Sequence, residues 1–250
     1  MNTVLDIKNL SYSYHSLSGE TMAIKDLSFH VTESEFVAVV GPSGCGKSTL
    51  LSLIAGLLQP DFGSIDTHSS QNIGYMLQKD HLLEWRSAYQ NATLGFDIKG
   101  KHSDMDYLYV NRLLENYGLI RFKNARPSEL SGGMRQRIAL IRTLVMQPDL
   151  LLLDEPFSAL DYQTRLEVSD DIWEIIKKEK KTAILITHDI AEAISMADRI
   201  LILSKRPATL IKELPIHLTT NGEKTPFLAR HSPEFQDYFQ KIWEELNHGN

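Results

Sequence analysis

The sequence predicts a layered α/β fold built on a mainly parallel sheet, and three observations carry that prediction. Short apolar, β-rich runs recur along the chain, several of them continuous rather than alternating, as strands buried on both faces require. Helical patterns lie between them. One run leads through a glycine-rich loop directly into a helix, at residues 36–58.

The runs are Val4–Ile7, Phe36–Val40, Ile73–Leu77, Leu150–Leu153, Ala183–Thr187 and Ile200–Leu203. Arg165–Lys178 places Val168, Ile172 and Ile175 on one helical face. Residues from about Lys79 to Val145 show no strand pattern and helix-like spacing through Leu108, Leu113 and Leu114, which predicts a helical insertion. The last helix is expected over Pro233–Leu246, with Ser232 as N-cap and Pro233 at the first helical position. Its stripe of Phe235, Phe239, Ile242, Trp243 and Leu246 reads as core packing. Residues 205–231, punctuated by Pro and Gly, fit no element from sequence.

Composition excludes several classes. The 250 residues give one to two domains with ample core, at 42% hydrophobic and 23% charged residues. A net charge of -6, from 26 Lys+Arg against 32 Asp+Glu, argues against a dedicated nucleic-acid binder. The single cysteine, Cys45, excludes an intrachain disulfide framework and points to a reducing compartment. No apolar run approaches the roughly eighteen residues of a membrane span, and MNTVLDIKNL lacks the pattern of a secretory signal. A soluble, cytosolic, globular chain is expected.

Chemistry enters at Gly41-Pro42-Ser43-Gly44-Cys45-Gly46-Lys47-Ser48-Thr49, between the strand-like EFVAVV and the helix-like TLLSLIAGLL. That is a P-loop in its required context. Its glycines let backbone wrap a phosphate, and the helix N-terminus aims amide N–H groups at it. Lys47 can reach the β- and γ-phosphates of a nucleotide and Ser48 can ligate Mg²⁺. Cys45, with no clear His partner, reads as a small loop residue whose alkylation would block ATP, not as a nucleophile. Further on, Leu150–Leu153 delivers Asp154 to the sheet's carboxyl edge, where it can hold Mg²⁺, and Glu155 next to it can orient or deprotonate a water.

Leu130-Ser131-Gly132-Gly133-Met134-Arg135-Gln136-Arg137 opens a second helix with free N–H groups suited to phosphate. The chain has one P-loop, so a second phosphate grip asks for a nucleotide held by another molecule. Two copies packed head to tail satisfy it.

With these motifs in order, the sequence resembles the ATP-binding subunits of ABC transporters over nearly its whole length: GPSGCGKST, LSGGMRQR, LLLLDEP, Ser158-Ala159-Leu160-Asp161 and Thr187-His188-Asp189. The resemblance implies a P-loop NTPase (RecA-like) core with a mainly parallel sheet, an N-terminal antiparallel β part and an inserted helical subdomain. It divides the chain into a nucleotide-binding core (1–78 and 146–215), a helical subdomain with the signature (79–145) and a C-terminal helical extension (216–250). It implies Glu155 as catalytic base, His188 at the γ-phosphate and Gln78 sensing Mg²⁺ and the attacking water. Tyr14 aligns with the aromatic that stacks on adenine. Ser131 and Gly133 would bind the ATP of the opposite subunit, with Asp161 across the dimer interface.

Gln78-Lys79-Asp80-His81-Leu82-Leu83-Glu84-Trp85 resembles a segment of the nitrate, sulfonate and taurine importer group, read as Q-x-x-x-LLPW, with Glu84 in place of the usual Pro. Leu94–Gly100 and SPEFQDYFQKIWEEL look like that group as well. Leu82, Leu83 and Trp85 are either an apolar surface for a helix of a membrane subunit or a patch of core beneath the insertion. The implied function is ATP hydrolysis coupled to import: a homodimer using ATP and Mg²⁺ beneath a membrane permease, at the cytoplasmic face, served indirectly by an extracytoplasmic solute-binding protein and without nucleic acid. Nitrate, sulfonates, taurine and pyrimidine-type vitamin precursors all stay open as cargo. The rivals are a non-transport ABC ATPase and a P-loop kinase or GTPase. The first often carries paired cassettes, coiled coils or basic tracts that are not seen here, and the second has no need of LSGGMRQR.

Overall fold

A computed structural model describes residues 2–17, 19–67, 72–100 and 103–248. The chain begins with β1 (Thr3–Ser16), β2 (Gly19–Thr32), β3 (Phe36–Val40), α1 (Lys47–Ile54), β4 (Phe62–Asp66) and β5 (Ile73–Met76). A helical stretch follows, with α2 (Ala88–Ala92), α3 (Leu94–Lys99), α4 (Asp104–Asn116) and α5 (Gly132–Leu144). The second half runs β6 (Leu150–Asp154), α6 (Tyr162–Lys178), β7 (Thr182–Ile186), α7 (Ile190–Met196), β8 (Arg199–Leu203), β9 (Leu210–Pro215), α8 (Pro226–Arg230) and α9 (Phe235–His248).

The main sheet has the order β5-β6-β7-β3-β8-β9. All neighbours are parallel except β8 and β9, which pair antiparallel. Strands β3, β6 and β7 are buried on both faces, and the side chains divide by pleat. Phe36, Ala38 and Val40 face a core shared with α4–α7 and α9, whereas Val37 and Val39 face a second core with α1 and the smaller sheet. This is the physical reason the sequence runs read as continuous. The smaller sheet is antiparallel, in the order β2-β1-β4.

Three strands were not among the sequence runs. In β2, Ala23, Ile24, Leu27, Phe29 and Val31 are buried and the residues between them face out, so the apolar run is broken. β4 is mostly exposed, and β9 is an edge strand in the stretch that sequence left open. The final helix starts at Phe235, not at Pro233. Residues 231–234 instead close a turn after α8, with Ser232 N–H donating to Ala229 O at 3.1 Å. Glu234 is drawn off to accept the Thr219 N–H at 3.0 Å and its hydroxyl at 2.6 Å. Along α9, Ile242 is fully buried while Trp243 is exposed, so the stripe is only partly core. On α4, Val110, Leu113 and Leu114 are buried and Leu108 faces out.

Because β3, β5, β6, β7 and β8 are parallel, their carboxyl ends share one edge. Gly41, Leu77, Glu155, Thr187 and Ser204 each follow one of those strands there, and this is where open α/β sheets bind ligands.

Candidate nucleotide-binding site

The P-loop leaves β3 at Gly41 and enters α1 at Lys47. Gly44 (φ +73°) and Gly46 (φ +128°) take backbone conformations with positive φ, which suit glycine. The N-cap, Gly46, supplies no side-chain acceptor, so the first-turn amides of α1 have no cap hydrogen bond and are free for an anion. Lys47 is buried and arches over the loop, donating from Nζ to Gly41 O (2.8 Å) and Pro42 O (3.0 Å). The open cleft beside it has a volume of about 290 Å³ and is lined by Ser43, Gly44, Gly46, Lys47, Ser48, Thr49, Gln78, Glu155 and Arg206. Cys45 lies beneath the loop, buried, and burial pushes its thiol up.

Ser48 Oγ donates to Asp154 Oδ1 at 3.1 Å, and Tyr75 OH donates to Asp154 Oδ2 at 3.4 Å. Burial pushes the Asp154 carboxyl up, opposed by the Ser48 hydrogen bond. One hydroxyl and one carboxylate beside a phosphate cradle are hard oxygen donors that fit Mg²⁺, an ion usually held by one or two carboxylates plus substrate phosphates. Next along the chain, Glu155 sits at φ +44°, an unusual conformation for a side-chain-bearing residue. Its N–H donates to Ile186 O at 2.9 Å, and its own C=O accepts from Ser158 Oγ at 3.0 Å. That turn presents its carboxylate to two neighbours: Gln78 Nε2 donates to Glu155 Oε2 at 3.1 Å, and His188 Nδ1 lies 3.3 Å from the same oxygen.

His188 is largely exposed and rides on a turn between β7 and α7. Asp189 caps α7 by accepting the N–H groups of Ala191 and Glu192. Tyr14, 43% exposed, shares a 3.0 Å hydrogen bond between its hydroxyl and Thr49 Oγ1 and meets Tyr12 edge-on at 5.0 Å. Its ring is thus beside the P-loop helix and partly open to solvent.

Ser131, Gly132, Gly133 and Asp161 stand outside this cleft. Ser131 caps α5 by accepting the Met134 N–H at 3.3 Å, and Gly133 packs against Thr164 and Val168 of α6. Asp161 caps α6 through Thr164 N–H (3.0 Å) and hydroxyl (2.7 Å), which hold its carboxyl below the usual range. Ser131 and Asp161 are both exposed.

Between Gln78 and α2, Arg135 of α5 donates through Nε to Asp80 Oδ2 (2.8 Å) and through NH2 to Asp80 Oδ1 (3.1 Å) and Glu84 Oε1 (3.0 Å). Glu84, the departure from the Q-x-x-x-LLPW pattern, therefore has a cation to meet. Arg142 adds bonds to the backbone oxygens of Asp80 (2.6 Å) and His81 (2.9 Å). Burial acts most strongly, to raise the Asp80 pKa, but the Arg135 hydrogen bonds, the Leu82 N–H and the charges of Arg135 and Arg142 together outweigh it and hold the carboxyl low. Leu82 is buried and Trp85 is 73% exposed, so this segment is core at one residue and surface three residues later.

Sequence reasoning missed Arg206, whose NH2 donates to Gly44 O at 2.7 Å from the β8–β9 connection, and Tyr75 beside Asp154. It also missed Glu192, buried on α7 and accepting the Thr187 hydroxyl proton at 2.6 Å. The charged types at 192 and 206 were visible, but only the tertiary fold places them.

Residues 24–158 match the ABC transporter family. The chain is 44% identical to the ABC transporter ATP-binding protein YtlC of Bacillus subtilis, with 97% of this chain and 95% of that protein covered. It is 38% identical to the nitrate import ATP-binding protein NrtD of Synechocystis (95% and 93% covered). The aliphatic sulfonates import ATP-binding protein SsuB 2 of Pseudomonas syringae pv. tomato is 40% identical (86% and 90% covered). Among solved structures, a dimeric ATP-binding cassette in a post-hydrolysis state, bound to ADP and Pi, superposes with a TM-score of 0.72 at 29% identity, covering 85% of this chain and 99% of that one. These relatives align over most of a chain whose P-loop, acidic strand and His188 turn already meet at one sheet edge, and this protein therefore belongs to the ABC transporter family as one of its ATP-hydrolysing, ATP-binding subunits.

Proposed function

We propose that this chain powers an importer: two copies close head to tail around two ATP molecules beneath a membrane permease, and hydrolysis reopens them. The observation that carries the reading is Glu155, held by Gln78 and His188 at the mouth of the Lys47–Ser48 loop. The core would comprise 1–78 and 146–215, the signature-bearing helical part 79–145 and the C-terminal extension 216–250.

In this reading Tyr14 stacks on adenine, and the loop from Gly41 to Thr49 wraps the phosphates with its amides. Lys47 gives up its two backbone oxygens for the β- and γ-phosphates. Ser48 and Asp154 would hold Mg²⁺, with Gln78 at its edge, and the ion would neutralise charge on the phosphate oxygens. Glu155 accepts the proton of the water that attacks γ-phosphorus, while His188 stabilises the charge gathering on the phosphoryl oxygens. Ser131, Gly132 and Gly133 of one copy close over the ATP of the other, and Asp161 lies across the interface. The exposure of Ser131 and Asp161 outside their own cleft supports that role.

Import, and small anions such as nitrate or sulfonates as cargo, rests on the relatives that carry those names. Among the described residues no helix is long and apolar enough to cross a membrane. The proposal therefore adds a permease, which would hold the chain at the cytoplasmic face, and an extracytoplasmic solute-binding protein that selects the cargo. Purification from native membranes in mild detergent tests this: a multi-spanning permease should accompany the chain, and a reproducible soluble partner alone would overturn it. Glu155→Gln should retain ATP binding and lose hydrolysis by about 10²–10⁴-fold, leaving an ATP-bound dimer visible by light scattering. Near-normal turnover would remove Glu155 from its role. Lys47→Ala should weaken ATP binding, and unchanged affinity would refute the placement of the phosphates.

A further inference from the structure

Behind His188 lies a buried polar cluster that the mechanism above leaves unused. Thr187 donates its hydroxyl proton to Glu192 Oε2 at 2.6 Å, and the same hydroxyl accepts the Asp189 N–H at 3.0 Å. His188 thus rides on a turn pinned on both sides. Glu192 is 7% exposed, and burial pushes its carboxyl up to about 6, against the Thr187 hydrogen bond and the nearby charge of Arg165. A carboxylate kept in such a place calls for a cation, and Arg165 of α6 is the one that faces it.

Arg165 joins two loops unequally. Its NH2 donates to Leu160 O at 3.1 Å, in the segment that leads to Asp161. Toward the His188 turn, NH1 stands 3.6 Å from Asp189 Oδ2 and Nε stands 3.8 Å from Glu192 Oε1. Both carboxylates are within ion-pair range yet too far for hydrogen bonds. Arg165 Nε is buried with no acceptor, a state that costs free energy. A shift of about 1 Å would satisfy it.

We infer that Arg165 is a positioning residue for His188: movement of the Leu160–Asp161 loop draws its guanidinium onto Glu192 and Asp189 and so seats the His188 turn against the γ-phosphate. This rests on the reading of His188 and Asp161 given above. The clamp touches no nucleotide. It acts once the second copy has closed on Asp161, so it governs turnover and leaves ATP affinity alone.

Steady-state ATPase assays, ATP titration calorimetry and thermal unfolding on the full chain test it, at a pH well above the Glu192 pKa. Arg165→Met keeps the apolar stem and removes charge and donors. It should lower kcat about tenfold or more, since ångström-scale misplacement of a catalytic group costs that order, with the ATP Kd within about twofold of wild type. Arg165→Lys should recover part of the loss. Glu192→Gln keeps the shape and an acceptor for Thr187, and should show the same selective loss in kcat. The double variant should be no worse than either single one. Unchanged kcat in the single variants, additive losses, or a fall in kcat matched by an equal loss of affinity would each overturn the inference. If Arg165→Met does not fold, Glu192→Gln decides alone. Failure of the wild-type chain to hydrolyse ATP would sink the underlying reading; failure of the clamp leaves the wild type active and the variants indistinguishable from it.

Discussion

Replacing Gly46 with alanine tests whether the P-loop owes its shape to one backbone torsion. At φ +128° and ψ 10°, a residue with a Cβ pays about 1–3 kcal/mol of backbone strain. The added Cβ would also lie 2.9 Å from Ala23 O in β2, closer than real Cβ contacts come. Strand backbone cannot swing aside as a side chain can, so about 3 kcal/mol in total is expected, at the top of the strain range. At roughly 2–4 °C per kcal/mol for a chain of this size, the unfolding midpoint should fall by roughly 6–12 °C. Gly44 is the internal control. At φ +73°, its Cβ would meet only Arg206 NH2, at 4.0 Å, so Gly44→Ala should cost only the left-handed penalty of about 1–2 kcal/mol. Circular dichroism melts of both variants, with ATP titrations on the folded proteins, decide the matter. Equal costs would mean that the loop relaxes freely at Gly46 and that its geometry is not set by contact with β2.

Tyr14→Phe removes the hydroxyl bonded to Thr49 but keeps the ring, so ATP affinity should stay within about twofold, whereas Tyr14→Ala should lose about tenfold or more if the ring stacks on the base; equal effects in titration calorimetry would refute stacking. Cys45 is buried and its thiol pushed up, so N-ethylmaleimide should label the folded chain far more slowly than the chain in urea, and rapid labelling of the folded form by mass spectrometry would contradict that. Glu192 is raised from 4.5 to about 6, so the native state holds its proton more tightly than the unfolded chain, and its contribution is fully present below pH about 4.5 and lost as pH rises past about 6. The loss is about 2 kcal/mol; urea midpoints across this range should show a downward component that Glu192→Gln flattens, and an identical slope in that variant would refute it.

What could be read before folding follows from which physics is local. The parallel strands declare themselves because both faces of β3 and β6 are buried, leaving no polar residue to interrupt the run. β2 hides because it carries exposed Lys25, Asp26, Ser28 and His30 between its buried residues. The start of α9 shifts because Glu234 finds Thr219, a partner fifteen residues back that no capping pattern encodes. At the site, the loop, Asp154, Glu155 and the Ser131 cap are contiguous motifs whose chemistry is local. Arg206 on Gly44, Tyr75 on Asp154 and Arg165 between two loops are contacts across the fold, and each involves an ordinary surface-type residue until the sheet brings it to its partner.

The arginine strap on residues 80–84 has a mechanical consequence. Arg135 and Arg142 fasten this segment to α5, the same helix that begins at Gly132 beneath Ser131. Trp85, 73% exposed, stands one residue beyond Glu84 and so at the outer end of a segment tied to α5 by side-chain bonds. The segment joins the sheet at Leu77, next to Gln78. Any force applied at Trp85 would reach the sheet along this strapped segment, and the 3.1 Å bond from Gln78 to Glu155 stands at its inner end.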